Sequence, residues 1–239
     1  MIEQLVIVDY QEGAGGEFLA SFISAHWGHA ITPDPQSQGN KIQKWLNSHS
    51  LVRPAWDQDF ESNFAEFVAL CKQHNIARLS VPYHLYKWPG HCNHISKQIP
   101  HTRFVRIDAT DYLDQVSADF QRKVLRRRLE SADFGEIKFF LQEQSAEHRQ
   151  RCMDLLRQGT LTLANLRPDF EFYPVQRTLP SQDIVINYGD FFVNFDRTPR
   201  AYHELCRNLN LEPNLDLLQQ LIDRNQKNLQ AQKEYLSTL

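Results

Sequence analysis

Apolar positions along this chain fall into short runs, and the spacing inside each run says which element it builds. Leu5-Val-Ile-Val8 is an unbroken apolar stretch of strand length, followed by Asp9-Tyr10. Gln11 to Gly16 is a glycine-rich turn, and Glu17-Phe-Leu-Ala-Ser-Phe-Ile-Ser24 returns apolar residues at helical spacing. The first segment therefore predicts a buried strand, a turn and an amphipathic helix ending near Trp27-Gly28-His29. Phe60, Phe64, Phe67, Val68 and Cys71 repeat at helical intervals. Ile76 to Tyr83 and Thr102 to Ile107 read as strands, and Asp108-Ala-Thr-Asp111 supplies N-cap chemistry for a helix running into Lys123 and Arg128. Phe134 to Gln158 is mixed, charged and helical in character, and Asp183 to Asn187 is a compact apolar strand. Tyr202 to Leu211 and Leu215 to Leu236 read as closing helices.

The intervening stretches add less. Thr32 to Asn40 is a Pro/Ser/Gln/Gly loop, and Lys41 to Ser48 reads as a short helix. Strands alternating with helices predict an α/β protein with a mainly parallel sheet of about four to five strands. Ligands of such folds bind at the C-terminal ends of the strands, where the segments after Tyr10, Tyr83 and Ile107 converge.

Composition narrows the field. At 239 residues the chain fits one domain, 1–239, with a C-terminal helical extension over about 197–239. A formal net charge of -3 gives no global attraction to nucleic acid or to anionic membranes. No apolar run reaches spanning length and the start lacks a signal-peptide pattern, so a cytoplasmic protein without nucleic-acid or membrane partners is expected. Cys71, Cys92, Cys152 and Cys206 are widely spaced, without a CxxC, and read as reduced packing residues.

Candidate chemistry gathers at four places. Gly13-Ala14-Gly15-Gly16 precedes a helix, where glycines let backbone amides approach an anion and the helix dipole favours it. Glu12 and Glu17 flank that loop and no lysine stands in it, so Lys87, Arg103, Arg106 or the Arg126-Arg127-Arg128 run must bring the positive charge. His84 comes after a strand, where a neutral imidazole suits proton abstraction. Arg106 ends another strand, where a guanidinium suits a phosphate monoester or a salt bridge to Asp108 or Asp111. His84, His91, Cys92 and His94 are the densest group of potential metal ligands. Adjacent residues seldom chelate one ion, so this stretch reads as a polar loop and no metal is expected. Tyr188-Gly-Asp190 reads as architecture, with Asp190 capping the turn after the strand.

The order of these islands resembles the sulfotransferase family. Its members move a sulfuryl group from the donor 3′-phosphoadenosine 5′-phosphosulfate (PAPS) to a hydroxyl or amine. Tyr10-Gln-Glu-Gly13-Ala-Gly15-Gly16-Glu17-Phe18-Leu19 is similar to the family's first-strand loop, and Ser80-Val-Pro-Tyr83-His84-Leu85 to the strand that ends at the family's general base. Phe104-Val-Arg106, with Ser117 beyond it, is similar to the unit that holds the donor's 3′-phosphate, and Ile184-Val-Ile-Asn-Tyr188-Gly-Asp190-Phe191 to the late strand.

For a divergent member, the resemblance implies a P-loop-like three-layer α/β/α sandwich with C-terminal helices. It implies PAPS as co-substrate on Gly13, Ala14, Gly15, Gly16, Glu17, Phe18, Arg106 and Ser117. His84 would be the base, Lys87 would offset leaving-group charge, and the acceptor is a small molecule or glycan. Two other functions stay open: a nucleotide-dependent phosphotransferase, and a non-catalytic module that has lost the donor and meets a partner, or a second copy, through its C-terminal helix. The second is favoured by the acidic loop; Leu215, Leu217, Leu218, Leu221 and Ile222 would form its contact face.

Overall fold

The computed structural model describes residues 2–10, 14–29, 56–83, 90–112, 115–116, 145–158 and 184–236. Its elements in chain order are β1 (Gln4–Asp9), α1 (Gly16–Ala25), α2 (Trp56–Gln73), β2 (Arg78–Tyr83), α3 (His91–Gln98), β3 (Thr102–Asp108), α4 (Ala146–Arg157), β4 (Ile184–Asn187), α5 (Thr198–Leu209) and α6 (Leu215–Leu236). The four strands form one sheet in the order β2-β1-β3-β4, and every pairing is parallel. The expected α/β architecture with a parallel sheet is present, with four strands among the described residues. The predicted elements at 17–24, 60–71, 76–83, 102–107, 183–187, 202–211 and 215–236 all occur, with boundaries moved by a few residues.

Strand alternation divides the core in two. Val6, Val8, Val105 and Ile107 face a layer made by α1, α5 and α6, with Phe22, Tyr202, Leu209 and Leu221 packed against them. Leu5, Ile7, Leu79, Val81 and Phe104 face the opposite way, onto Phe60, Phe64, Phe67 and Cys71 of α2 and Ile95 of α3. The sheet thus carries helices on both faces, which is why its strands read as near-continuous apolar runs.

Polar ties lock the helices to the strands. The Ser24 hydroxyl of α1 accepts from the Ser80 N–H (2.8 Å) and donates to the Ser80 carbonyl (3.2 Å). Gln4 of β1 donates to the Leu209 carbonyl at the end of α5 (3.1 Å). The buried Asn225 of α6 donates to the Phe191 carbonyl (3.0 Å).

The apolar stripe of α6 is consumed by this packing. Leu217, Leu218 and Leu221 are buried in the chain's own core and only Leu215 of the stripe stands out, 73% exposed. A partner-facing stripe is therefore not what these residues form. All four cysteines are free and buried, and burial pushes the Cys71 thiol up to about 12. No helix among the described residues is long and apolar enough to cross a membrane.

Candidate functional site

The strand order sets the place to look. The chain leaves β1 toward β2 on one side and leaves β3 toward β4 on the other, so a crevice opens between the C-terminal ends of β1 and β3. Two differently built surfaces meet there.

The first is the start of α1. Gly15 is its N-cap, in the left-handed region at φ 78°, and no side chain caps the helix from that position. A side chain at Gly15 would be strained, whereas glycine takes this conformation freely. The first intrahelical bond runs from the Leu19 N–H to the Gly15 carbonyl (2.9 Å), so the amides of Gly16, Glu17 and Phe18 precede it at the positive end of the dipole.

Gly16 has a different task. A Cβ there would run into the Tyr10 ring. One at Gly15 would touch the Phe192 ring at 3.7 Å, and one at Gly189 would run into the Tyr112 ring. Tyr112 and Tyr188 (5.7 Å between centroids) and Tyr188 and Phe192 (5.2 Å) continue this aromatic packing across the ends of β3 and β4.

Phe18 also does more than offer an amide. Its ring stacks on Phe22 (5.8 Å), and the Arg224 guanidinium of α6 lies 3.5 Å over it. Arg224 is the cation that folding brings to the first turn of α1, and sequence reasoning missed it. The available signal was its place on α6, three residues after the buried Leu221 and beside the buried Asn225.

The second surface lies on the other face of the same strand ends. Register puts Asp9 level with Tyr83 on β2 and with Arg106 on β3. By alternation all three share the face of Ile7, Val81 and Phe104. Asp9 is 1% exposed. The Tyr83 hydroxyl and His91 Nδ1 share a hydrogen bond of 2.6 Å, and the His91 ring lies flat on Phe60 at 3.7 Å. A guanidinium, a carboxylate, a phenol and an imidazole therefore line one edge: charge for an anionic group beside groups that move protons.

The predicted site residues separate by face and by depth. Ala14, Gly15, Gly16, Glu17 and Phe18 gather at the start of α1. Arg106 reaches the same end of the sheet, but on the face opposite to α1. Arg103 is level with Val6, three residues down the strand, about 10 Å from the edge at the usual strand rise, so it does not serve the loop. Gly13, His84, Lys87, Ser117 and the Arg126 to Arg128 run lie outside the described residues.

Two local readings are corrected. His91 to His94 is helical, not a polar loop: Cys92 and Ile95, three apart, bury one face of α3. His94 meets Gln98 (2.9 Å) and Glu61 (3.3 Å), and no group of three His, Cys, Asp or Glu side chains converges among the described residues. Asp190 does not cap the turn after β4. Its N–H donates to Asn187 Oδ1 (3.1 Å), and its carboxylate pairs with Arg197 (3.0 Å). Asp108 does act as expected, accepting from the Thr110 N–H (3.1 Å) and hydroxyl (2.7 Å) to cap the short turn Thr110–Tyr112.

No family model, curated protein or solved structure matches the chain.

Proposed function

We propose that this protein is a sulfotransferase-like enzyme that moves a sulfuryl group from PAPS to a hydroxyl or amine acceptor. The observation that carries the reading is the placement of Arg106. It stands at the C-terminal end of β3, beside the central strand whose following turn opens α1 with an uncapped, left-handed Gly15. A guanidinium suits the donor's 3′-phosphate, and the first-turn amides suit its 5′-phosphosulfate. In the reaction the acceptor oxygen or nitrogen attacks sulfur, the bond from sulfur to the bridging phosphate oxygen breaks, and 3′-phosphoadenosine 5′-phosphate (PAP) leaves. His84 takes the acceptor's proton and Lys87 offsets the charge gathering on the leaving phosphate, with in-line positioning supplying much of the rate.

One observation favours a second reading, a P-loop-like fold that no longer holds a donor. The glycines that would cradle phosphate are spent on rings, Gly16 on Tyr10 and Gly15 on Phe192, and Glu17 brings a carboxylate to the first turn.

Calorimetric titration separates the two. Under the first reading PAP binds without Mg²⁺, Arg106→Ala weakens it by about tenfold or more, the value of a charge-assisted hydrogen bond, and His84→Ala leaves it intact. Absence of PAP binding by the unmodified protein rejects the first reading; binding of Mg²⁺-ATP in its place redirects the site to phosphoryl transfer.

A further inference from the structure

The far end of α1 carries a histidine that this chemistry does not use. His26 closes a cavity of about 410 Å³ with Glu212, Pro213, Asn214, Leu215 and Asp216, the segment that leads from α5 into α6. Its ring stacks on Tyr202 (5.8 Å, 28° between planes) and meets Phe22 edge to face (5.7 Å, 86°). Nδ1–H donates to the Glu212 carbonyl oxygen (3.1 Å). That bond fixes the neutral tautomer, so Nε2 is a lone-pair nitrogen, and it is buried without a hydrogen-bond partner. An unmet acceptor on a neutral ring is a modest loss. A protonated Nε2 in the same place is a charged donor with no acceptor, which costs far more. The Tyr202 face attracts a cation above the ring plane, but an in-plane Nε2–H gains nothing from it.

The groups facing His26 do not relieve this. From α5 come Tyr202, whose hydroxyl is engaged by the Asn214 main chain (2.6 and 3.1 Å), then Cys206 behind it and the exposed His203 beside it. Burial pushes both the Tyr202 hydroxyl and the Cys206 thiol up, so both stay uncharged. From the segment into α6 come the carboxylates of Glu212 and Asp216, both on exposed residues and neither a partner of Nε2. His29, on the following turn, donates to the Arg78 carbonyl on β2 (2.8 Å).

We propose that His26 is an acid-sensitive latch: protonation of its buried Nε2 expels the ring from between Phe22 and Tyr202 and frees the segment that begins α6. The effect reaches the edge of the sheet, because α6 is the helix that lays Arg224 over Phe18 in the first turn of α1. It holds whatever that turn binds. Burial lowers the affinity of folded His26 for a proton, and the Glu212 hydrogen bond opposes this only in part. As pH falls, the unfolded chain therefore takes the proton first. The stability His26 contributes is full above the ordinary histidine value of 6.5 and is lost as pH drops from there through the lower folded value.

Urea denaturation of the full chain at falling pH, beside His26→Asn, tests the latch. Asparagine keeps a donor for the Glu212 carbonyl and does not titrate. Between about pH 7.5 and about pH 5.5, the range in which histidine changes charge, the wild-type midpoint falls relative to the variant. Over the same range, amides in the first turns of α6 lose hydrogen-exchange protection in the wild type alone. Equal pH dependence in the two proteins overturns the proposal. Should His26→Asn fail to fold, an NMR titration of His26 in the native chain decides: a midpoint below 6.5 supports the latch, and one at or above it overturns it.

Discussion

The two faces of the sheet's C-terminal edge are built from alternate residues of the same strands, yet they are opposites. On the α1 side, Tyr10, Tyr112, Tyr188 and Phe192 pack ring against ring and press on glycine backbone. On the α2 and α3 side, Tyr83, Asp9 and Arg106 stand level across three strands with His91 beside them. A slip of one residue in any pairing would exchange the two sets. The comparison teaches that glycines before a helix are not a phosphate cradle by themselves: here two of them make room for rings. The polar groups suited to chemistry lie one residue away on the other face.

The largest expected effect tests the packed side. Gly16→Ala drives a Cβ into the Tyr10 ring and costs about 1–3 kcal/mol, the usual range for overpacking. Tyr10→Ala costs stability through the cavity it leaves, but in that background Gly16→Ala is neutral or gains about 0.5–1 kcal/mol from helix preference. A double-mutant cycle by urea denaturation reads the coupling. Additive effects would show that Tyr10 is not what requires glycine here, and the packed side would again be open to a cradle reading.

The polar side should respond differently. Tyr83→Phe removes the hydroxyl that meets His91 Nδ1 and costs about 0.5–1.5 kcal/mol, because the imidazole keeps its stack on Phe60. The distinguishing readout is the His91 titration midpoint by NMR, which moves in Tyr83→Phe and stays put in Gly16→Ala. A midpoint indifferent to Tyr83 would reduce this row to packing and erase the contrast between the faces.

How far the sequence reveals these faces depends on what is local and what is not. β1, β3 and β4 are legible because their apolar runs are continuous, and Arg106 is legible because it interrupts one. Asp9 reads only as the polar end of a strand. Its meaning depends on the order β2-β1-β3, which places Tyr83 and Arg106 at its sides and which no local pattern encodes. The helix at His91 hides behind Pro89-Gly90, since Cys92 and Ile95 alone mark its buried face. The role of Gly16 is invisible because it needs the Tyr10 ring folded back over the turn. Arg224, more than two hundred residues from Phe18, becomes a neighbour only once α6 has docked.

That last contact carries the smallest effect and the finest test of the comparison. Arg224 sits over the Phe18 ring, where the packed side meets a positive charge. Phe18→Leu keeps an apolar side chain and removes the π face, so its coupling to Arg224→Ala isolates the ring–cation term, about 0.5–1 kcal/mol for a pair near the surface. Raising salt should weaken that coupling less than it weakens an exposed ion pair such as Arg200 with Glu204, since the guanidinium is partly shielded against the ring. If the cation also serves an anion at the first turn of α1, Arg224→Ala lowers PAP affinity while Phe18→Leu raises it, because freeing the guanidinium from the ring releases it to the ligand. Parallel loss of affinity in both variants would instead make Arg224 a clamp on the packed side, with no part in binding.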